Sequence, residues 1–178
     1  VIATYSVGFD HIDTVAATKH GVYVANTPGD LTESVAEFTI ALMMAVTKNI
    51  TASDTFCREK KFKYWEPMNF IGPKLKGKTL GIIGLGKIGS QVAKIGIAFG
   101  MNVIAWSENL RLSVAKDNQV LAVTKEEILE KSDFITIHTV LSDRTKNLIT
   151  KKDLELMKGT AFLINTSRGS VVNEFDLV

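Results

Sequence analysis

The sequence predicts an α/β fold, a doubly wound parallel sheet with helices on both faces. Three observations carry that prediction. After Gly77, short apolar and β-branched runs alternate with helical patterns, as strands joined by crossover helices do. One strand-to-helix junction is unusually rich in glycine: Gly81-Ile82-Ile83-Gly84-Leu85-Gly86-Lys87-Ile88-Gly89. The chain of 178 residues is 46% hydrophobic, enough for one sizeable core, since domains run to roughly 100–200 residues.

Residues 1–5 read as a strand, followed by a turn at 6–10. Asp13 is placed to cap a short helix that Gly21 closes, with His20 as its last cap. Residues 22–25 form the next strand, and Asn26-Thr27-Pro28-Gly29-Asp30 a turn. Thr32 or Ser34 then caps a long helix, Ser34 with Glu37 matching a capping box. Val35, Phe38, Leu42, Val46 and Ile50 keep its helical stripe, and Ile40, Ala41, Met43 and Met44 widen the apolar surface beyond one face. Such a helix is either central to the core or packed on a second subunit. Residues 56–73 read as an irregular arm. Strands follow at 79–83, 102–106, 120–123, 134–138 and 161–165. Helices are expected at 88–99, 152–157 and from a capping box, Thr124 with Glu127, to Lys131.

Composition excludes several classes. Twenty-one Lys and Arg against 19 Asp and Glu leave a net charge of +2. The densest basic cluster, residues 58–63, is broken by Glu59 and Phe62, so nucleic acid is not an expected partner. No apolar run approaches the ~20 residues of a membrane helix; the strongest, residues 38–46, is interrupted by Thr39. Cys57, the one cysteine, has no internal disulfide partner, which fits a reducing compartment and a cytoplasmic location. No metal site is assigned. The chain opens in a strand-like run without an initiator Met and stops at 175–178 in what reads as the start of a helix, so a fragment of a longer protein is expected.

The glycine run contains G-x-G-x-x-G at Gly84, Gly86 and Gly89, between an apolar strand and an amphipathic helix. That context is the Rossmann-type dinucleotide fingerprint. Gly84 permits the tight turn, Gly86 lets the backbone approach a pyrophosphate, and Gly89 lets helix and strand pack closely. The N–H groups at the helix start, around Lys87 and Ile88, then face the anion. An acid at the end of the next strand selects NAD through the ribose. Here Ser107 stands at that place and Glu108 follows one position late. Glu108 argues against a 2′-phosphate, whereas Ser107, Asn109 and Arg111 suit one. The cofactor is NAD(P), with a slight lean to NADP(H).

Four ordered motifs span nearly the whole chain: Tyr5-Ser6-Val7-Gly8-Phe9-Asp10-His11-Ile12-Asp13; Asn26-Thr27-Pro28-Gly29 with Thr32 and Val35-Ala36-Glu37; the glycine loop; and Leu163-Ile164-Asn165-Thr166-Ser167-Arg168-Gly169. On these the chain resembles the D-isomer-specific 2-hydroxy acid dehydrogenases, the glyoxylate/hydroxypyruvate reductases in particular. The resemblance implies that the Ser6-Val7-Gly8 loop offers amides to a substrate carboxylate and that Arg168 is the catalytic arginine. It implies that Thr166 and Ser167 lie near the nicotinamide, and His138, Thr139 and Val140 beside the adenosine, where the family often has proline at the position of Val140. It assigns residues 1–25 to the remnant of a substrate domain and crossover, and 26–178 to a dinucleotide-binding domain incomplete at its C-terminus. Trp65 lies in a Trp-x-Pro segment resembling an arm that reaches a partner's active site; a packing role is equally open.

The implied reaction is oxidation of a D-2-hydroxy acid, or reduction of a 2-keto acid such as glyoxylate or hydroxypyruvate. The family's proton-relay glutamate and histidine lie downstream of the arginine motif, and the chain ends at Val178 before either. His11, His20 and His138 sit in the wrong motifs to replace them. The chain is therefore expected to bind cofactor better than it turns over, and to form a homodimer. The alternative is a dinucleotide-sensing interaction module, like the family's co-repressor relatives. Formate-oxidising relatives are disfavoured, because Pro28-Gly29-Asp30-Leu31 does not resemble their asparagine-bearing loop.

Overall fold

In the computed structural model, which describes residues 1–29 and 31–178, the chain runs β1 (Ile2–Ala3), α1 (Thr14–Lys19), β2 (Val24–Ala25), α2 (Thr32–Thr47) and α3 (Ile50–Arg58). It continues through β3 (Thr79–Ile83), α4 (Lys87–Ala98), β4 (Asn102–Trp106), α5 (Leu112–Asp117), β5 (Leu121–Ala122), α6 (Lys125–Lys131), β6 (Phe134–Ile137), α7 (Lys151–Leu156) and β7 (Phe162–Asn165). Two 3₁₀ turns close it, Gly169–Val171 and Glu174–Asp176. Asp30, the end of the turn read from the sequence, lies outside the described residues.

Strands β3 to β7 form one parallel sheet in the order β5-β4-β3-β6-β7. Alternation of side chains across each strand feeds two apolar layers. Leu80, Ile82, Val103, Ala105, Phe134 and Ile164 face one core with Ala36, Ile40, Met43, Val92 and Ala93 of α2 and α4. Ile83, Ile104, Ile135 and Ile137 face the other with Ile128 and Leu129 of α6. This is the doubly wound α/β architecture expected. β1 and β2 pair separately, parallel to each other.

Local chemistry explains most boundaries. Asp13 caps α1 by accepting from the Ala16 N–H at 2.8 Å, and Gly21 follows it at φ +64°. Thr124 and Glu127 form the reciprocal capping box of α6. At the start of α7, Asp153 Oδ2 accepts from both the Thr150 N–H and Thr150 Oγ1 at 2.8 Å, and Asp153 Oδ1 also binds Lys125 Nζ at 2.6 Å, joining α6 to α7.

Several expectations are corrected. Neither Thr32 nor Ser34 caps α2: its N-cap is Leu31, without a side-chain bond, and Thr32 Oγ1 instead donates back to the Gly29 carbonyl at 3.0 Å. Ser34 and Glu37 have capping-box spacing but lie inside the helix. The buried stripe of α2 is Ala36, Thr39, Ile40, Met43 and Thr47, not the stripe through Phe38 and Val46, because α4 and β7 pack against the face with the smaller residues. Phe38 and Val46 stay 58% and 48% exposed. The helix does not reach Ile50. Asn49, at φ 52°, breaks it, and α3 sets off at 61° to α2. α3 replaces the first residues of the expected irregular arm, and α5 is a helix the pattern did not show. β1, β2 and β5 are shorter than read, at two residues each. The arm after α3 is pinned to α2, with Lys48 Nζ donating to the Pro73 carbonyl at 2.5 Å. No single helix among the described residues is long and apolar enough to cross a membrane, though the bent pair α2 and α3 together passes on length and composition.

Candidate active site

Parallel register brings four separate motifs to one edge. Ile83 pairs with Trp106 and with Ile137, and Ile137 pairs with Asn165. The residues that follow these strand ends, Gly84, Ser107, His138 and Thr166, therefore share the carboxyl edge of the sheet. The strand order reverses between β3 and β6, and ligands of open α/β sheets bind at such a switch point.

The glycine loop is shaped there by close approach. Gly84 has φ +102°, and a Cβ on it would lie 2.8 Å from the His138 carbonyl carbon. A Cβ on Gly89 would lie 2.2 Å from the Gly84 oxygen, whereas one on Gly86 would meet nothing within 4 Å. Gly86 is also the N-cap of α4, with no side-chain bond. The first helical N–H with an internal partner is that of Ser90, which donates to the Gly86 carbonyl at 2.9 Å. The N–H groups of Lys87, Ile88 and Gly89 precede the internal ladder and point out of the helix start. An open space over Gly86 in front of an uncapped helix start fits a pyrophosphate by charge and by room.

The other strand ends complete the cleft. Ser107 Oγ accepts from the Leu85 N–H at 2.9 Å. Glu108 lies 3.3 Å from Arg144 Nη1, both largely exposed. Asn109 is exposed in the turn beyond, and Arg111 is the exposed N-cap residue of α5. A cavity of about 700 Å³ opens at the ends of β4 and β5, lined among others by Trp106, Ser107, Leu110, Val123 and Thr124. After β6, the buried His138 Nε2 and Thr139 Oγ1 have no hydrogen-bond partner among the described residues. Burial pushes the His138 imidazole down to about 4, so it is neutral near neutral pH. Val140 is exposed, and its carbonyl accepts from Thr145 Oγ1 at 2.6 Å.

Beyond β7, Asn165 builds the loop that carries the arginine. Its Oδ1 accepts from the Ser167 N–H and Oγ at 3.0 and 2.9 Å, and its Nδ2 donates to the Arg168 carbonyl at 2.8 Å. Thr166 Oγ1 shares a 2.8 Å hydrogen bond with Thr39 Oγ1 of α2.

Arg168 meets the loop from the other end of the chain. Its Nε donates to both Asp10 oxygens, at 2.9 and 3.1 Å. A Cβ on Gly8 would lie 2.0 Å from Arg168 Nη2, so any side chain there would displace the guanidinium from this seat. The carbonyls of four consecutive loop residues are all engaged. Tyr5 accepts from Thr27 Oγ1, Ser6 from the Thr27 N–H, Val7 from Asn26 Nδ2 and Gly8 from Ser6 Oγ. The Val7 and Gly8 amides have no internal acceptor among the described residues. Four roles were not assigned from sequence: Asp10, Asn26 and Thr27 on this loop, and Arg144 beside Glu108. Asp10, Asn26 and Thr27 stand inside the quoted motifs; nothing in the sequence pairs Arg144 with Glu108.

A switch-point crevice with a glycine turn feeding an uncapped helix start defines a nicotinamide dinucleotide-binding domain of the Rossmann class. Residues 40–178 match the family model of the D-isomer specific 2-hydroxyacid dehydrogenase NAD binding domain. A glyoxylate reductase of Aeropyrum pernix is 44% identical over all of this chain and 54% of its own length. The crystal structure of Aquifex aeolicus D-lactate dehydrogenase complexed with NAD and lactic acid aligns at TM-score 0.88 and 36% identity, covering 99% of this chain and 52% of that one. An acyclic imino acid reductase in complex with NADPH and D-Arg aligns at TM-score 0.87 and 34% identity, over 98% and 55% of the two chains. The chain belongs to the D-isomer-specific 2-hydroxyacid dehydrogenase family. It spans about half the length of the curated relatives it matches.

Proposed function

We propose that this chain carries the cofactor site and the carboxylate-binding arginine of an NAD(P)-dependent oxidoreductase that interconverts 2-keto acids, such as glyoxylate or hydroxypyruvate, and D-2-hydroxy acids. The observation that carries this reading is the seat of Arg168 Nη2 against Gly8, on the strand edge that also holds the glycine loop. The likeness to glyoxylate reductases supports the substrate class.

Gly84, Gly86 and Gly89 with the Lys87 and Ile88 amides hold the pyrophosphate. Ser107, Glu108, Asn109 and Arg111 surround the adenosine ribose, and His138, Thr139 and Val140 flank the adenosine. Thr166 and Ser167 lie toward the nicotinamide, which when bound exchanges a hydride with substrate C2. The Val7 and Gly8 amides bind the substrate carboxylate without a side-chain charge. Arg168 orients the acid and stabilises negative charge growing on the C2 oxygen. NADP(H) is the proposed cofactor, because Ser107, Asn109 and Arg111 suit a 2′-phosphate and Arg144, 3.3 Å from Glu108, offsets part of its negative charge.

The chain is also proposed to act as a homodimer through the outer face of α2, where Phe38 and Val46 are exposed on a helix too apolar to face water. The test of the chemical reading is glyoxylate binding to the NADPH-loaded protein. Arg168→Ala is expected to weaken it by about tenfold or more while NADPH affinity holds, a loss of about 1.4 kcal/mol or more. Equal weakening of both ligands would overturn the assignment.

A further inference from the structure

We propose that Asp10 determines what Arg168 accepts: by occupying the Nε edge of the guanidinium, it directs an incoming acid to the Nη2 tip, on the loop of Val7 and Gly8. This rests on the reading of Arg168, Val7 and Gly8 as the carboxylate site.

A guanidinium offers a carboxylate two forks, one along the Nε–Nη2 edge and one across the Nη1–Nη2 end. In this protein the edge is taken, since Nε donates to both Asp10 oxygens at 2.9 and 3.1 Å. Nη1 is partly taken too, donating to the Ser167 carbonyl at 3.1 Å. Nη2 makes no hydrogen bond among the described residues, and it rests on Gly8, where a Cβ would lie 2.0 Å away. The Gly8 loop is held by Asn26, Thr27 and Ser6 through its carbonyls. Its Val7 and Gly8 amides have no acceptor among the described residues, and the Nη2 tip lies against the same loop.

An acid that meets this arrangement is directed to the tip. There its carboxylate can use the amides while an adjacent carbonyl oxygen lies within reach of Nη2. A carboxylate with no neighbouring carbonyl gains only part of that contact. An arginine with a free Nε–Nη2 edge would bind any carboxylate in that fork, in a pose that serves no chemistry. Asp10 fills the fork from within the chain and removes the competing pose. Slight desolvation raises the Asp10 pKa, but its backbone hydrogen bond and the Arg168 guanidinium outweigh it and hold the carboxyl below the usual value. The internal carboxylate therefore stays charged near neutral pH.

The test uses the NADPH-loaded protein and two unreactive probes: oxamate, whose carboxylate adjoins a carbonyl, and acetate, whose carboxylate does not. Kd for each is read from nucleotide fluorescence in the wild type, Asp10→Ala, Asp10→Asn, Asp10→Glu and Arg168→Ala. The expected result is a fall of about tenfold in oxamate preference for Asp10→Ala, carried by tighter acetate, with Asp10→Asn between and Asp10→Glu near the wild type. NADPH affinity is expected to hold in all four variants. If Asp10→Ala does not fold, Asp10→Asn and Asp10→Glu give the comparison. A preference within twofold of the wild type in both Asp10→Ala and Asp10→Asn, with Arg168→Ala abolishing oxamate binding, would overturn the proposal and leave the carboxylate site standing. A fall carried by weaker oxamate alone would overturn the edge-blocking role. Oxamate binding that survives Arg168→Ala, or is absent from the wild type, would overturn the carboxylate site and the proposal with it.

Discussion

The Ser107 hydroxyl accepts a hydrogen bond from the Leu85 N–H at 2.9 Å, tying the tip of the glycine loop to the end of β4. The Ser107 hydroxyl proton has no acceptor among the described residues. At the next position Glu108 turns to Arg144, at 3.3 Å. On the proposed reading, NADPH binds more tightly than NADH. Arg111→Ala, which removes an exposed cation, lowers that preference by about two- to fivefold. Arg144→Ala lowers it too, by releasing the Glu108 charge. Separate fluorescence titrations of the two nucleotides measure both, and tighter NADH in the wild type would contradict the assignment.

The three glycines of the loop separate into two kinds. Gly89→Ala drives a methyl to 2.2 Å from the Gly84 carbonyl oxygen, and Gly84→Ala forces an L side chain onto φ +102°. Each is expected to cost about 1–3 kcal/mol of stability. Gly86→Ala meets open space at φ −90°, ψ −158°, so the melting temperature should hold. Its methyl occupies the proposed pyrophosphate space, and nucleotide affinity should fall about tenfold, the equivalent of about 1.4 kcal/mol. Thermal melts beside nucleotide titrations distinguish the two kinds. A Gly86→Ala protein with wild-type affinity would place the pyrophosphate elsewhere.

His138 predicts an acid-sensitive fold. Burial lowers its pKa from 6.5 to about 4, so between those values the unfolded chain binds the proton and the folded chain does not. Its contribution is complete above about pH 6.5 and is lost as pH falls toward 4. The loss is on the order of 3 kcal/mol. Asp133 and Asp153 have lowered values, so their losses come below this window. Urea unfolding against pH should show the slope in the wild type and a flatter one in His138→Gln. Equal slopes would show that His138 is hydrated in solution.

The outer face of α2 predicts an assembly. Light scattering at micromolar concentration should give a dimer mass, and Phe38→Glu, which puts a charge on that face, should shift it toward monomer. A monomeric wild type would remove the dimer proposal and leave Phe38 and Val46 as solvent-facing residues.

The sheet and the glycine loop were legible because their signals are local. β3 and β4 have the bounds the apolar runs gave, and the Thr124–Glu127 box opens α6 as the pattern says. The buried side of α2 was not legible, because a partner helix decides between two apolar faces of one helix. α4 chose the side with Ala36, Thr39 and Met43. The break at Asn49 depends on one left-handed residue, and a pattern that stays apolar through Ile50 hides it. In the candidate site, the glycine turn and the strand-end positions were legible from motif spacing. Asp10 with Arg168 and Glu108 with Arg144 were not, since each pair joins distant segments and only the folded sheet brings them together.

The most direct measurement is titration of NADPH and NADH into the protein, followed by nucleotide fluorescence, with glyoxylate then added to the loaded protein. Saturable nucleotide binding that Gly86→Ala weakens, and a glyoxylate response that Arg168→Ala removes, is the predicted result. No saturable binding of either nucleotide would contradict the proposal that this edge of the sheet is a working cofactor site.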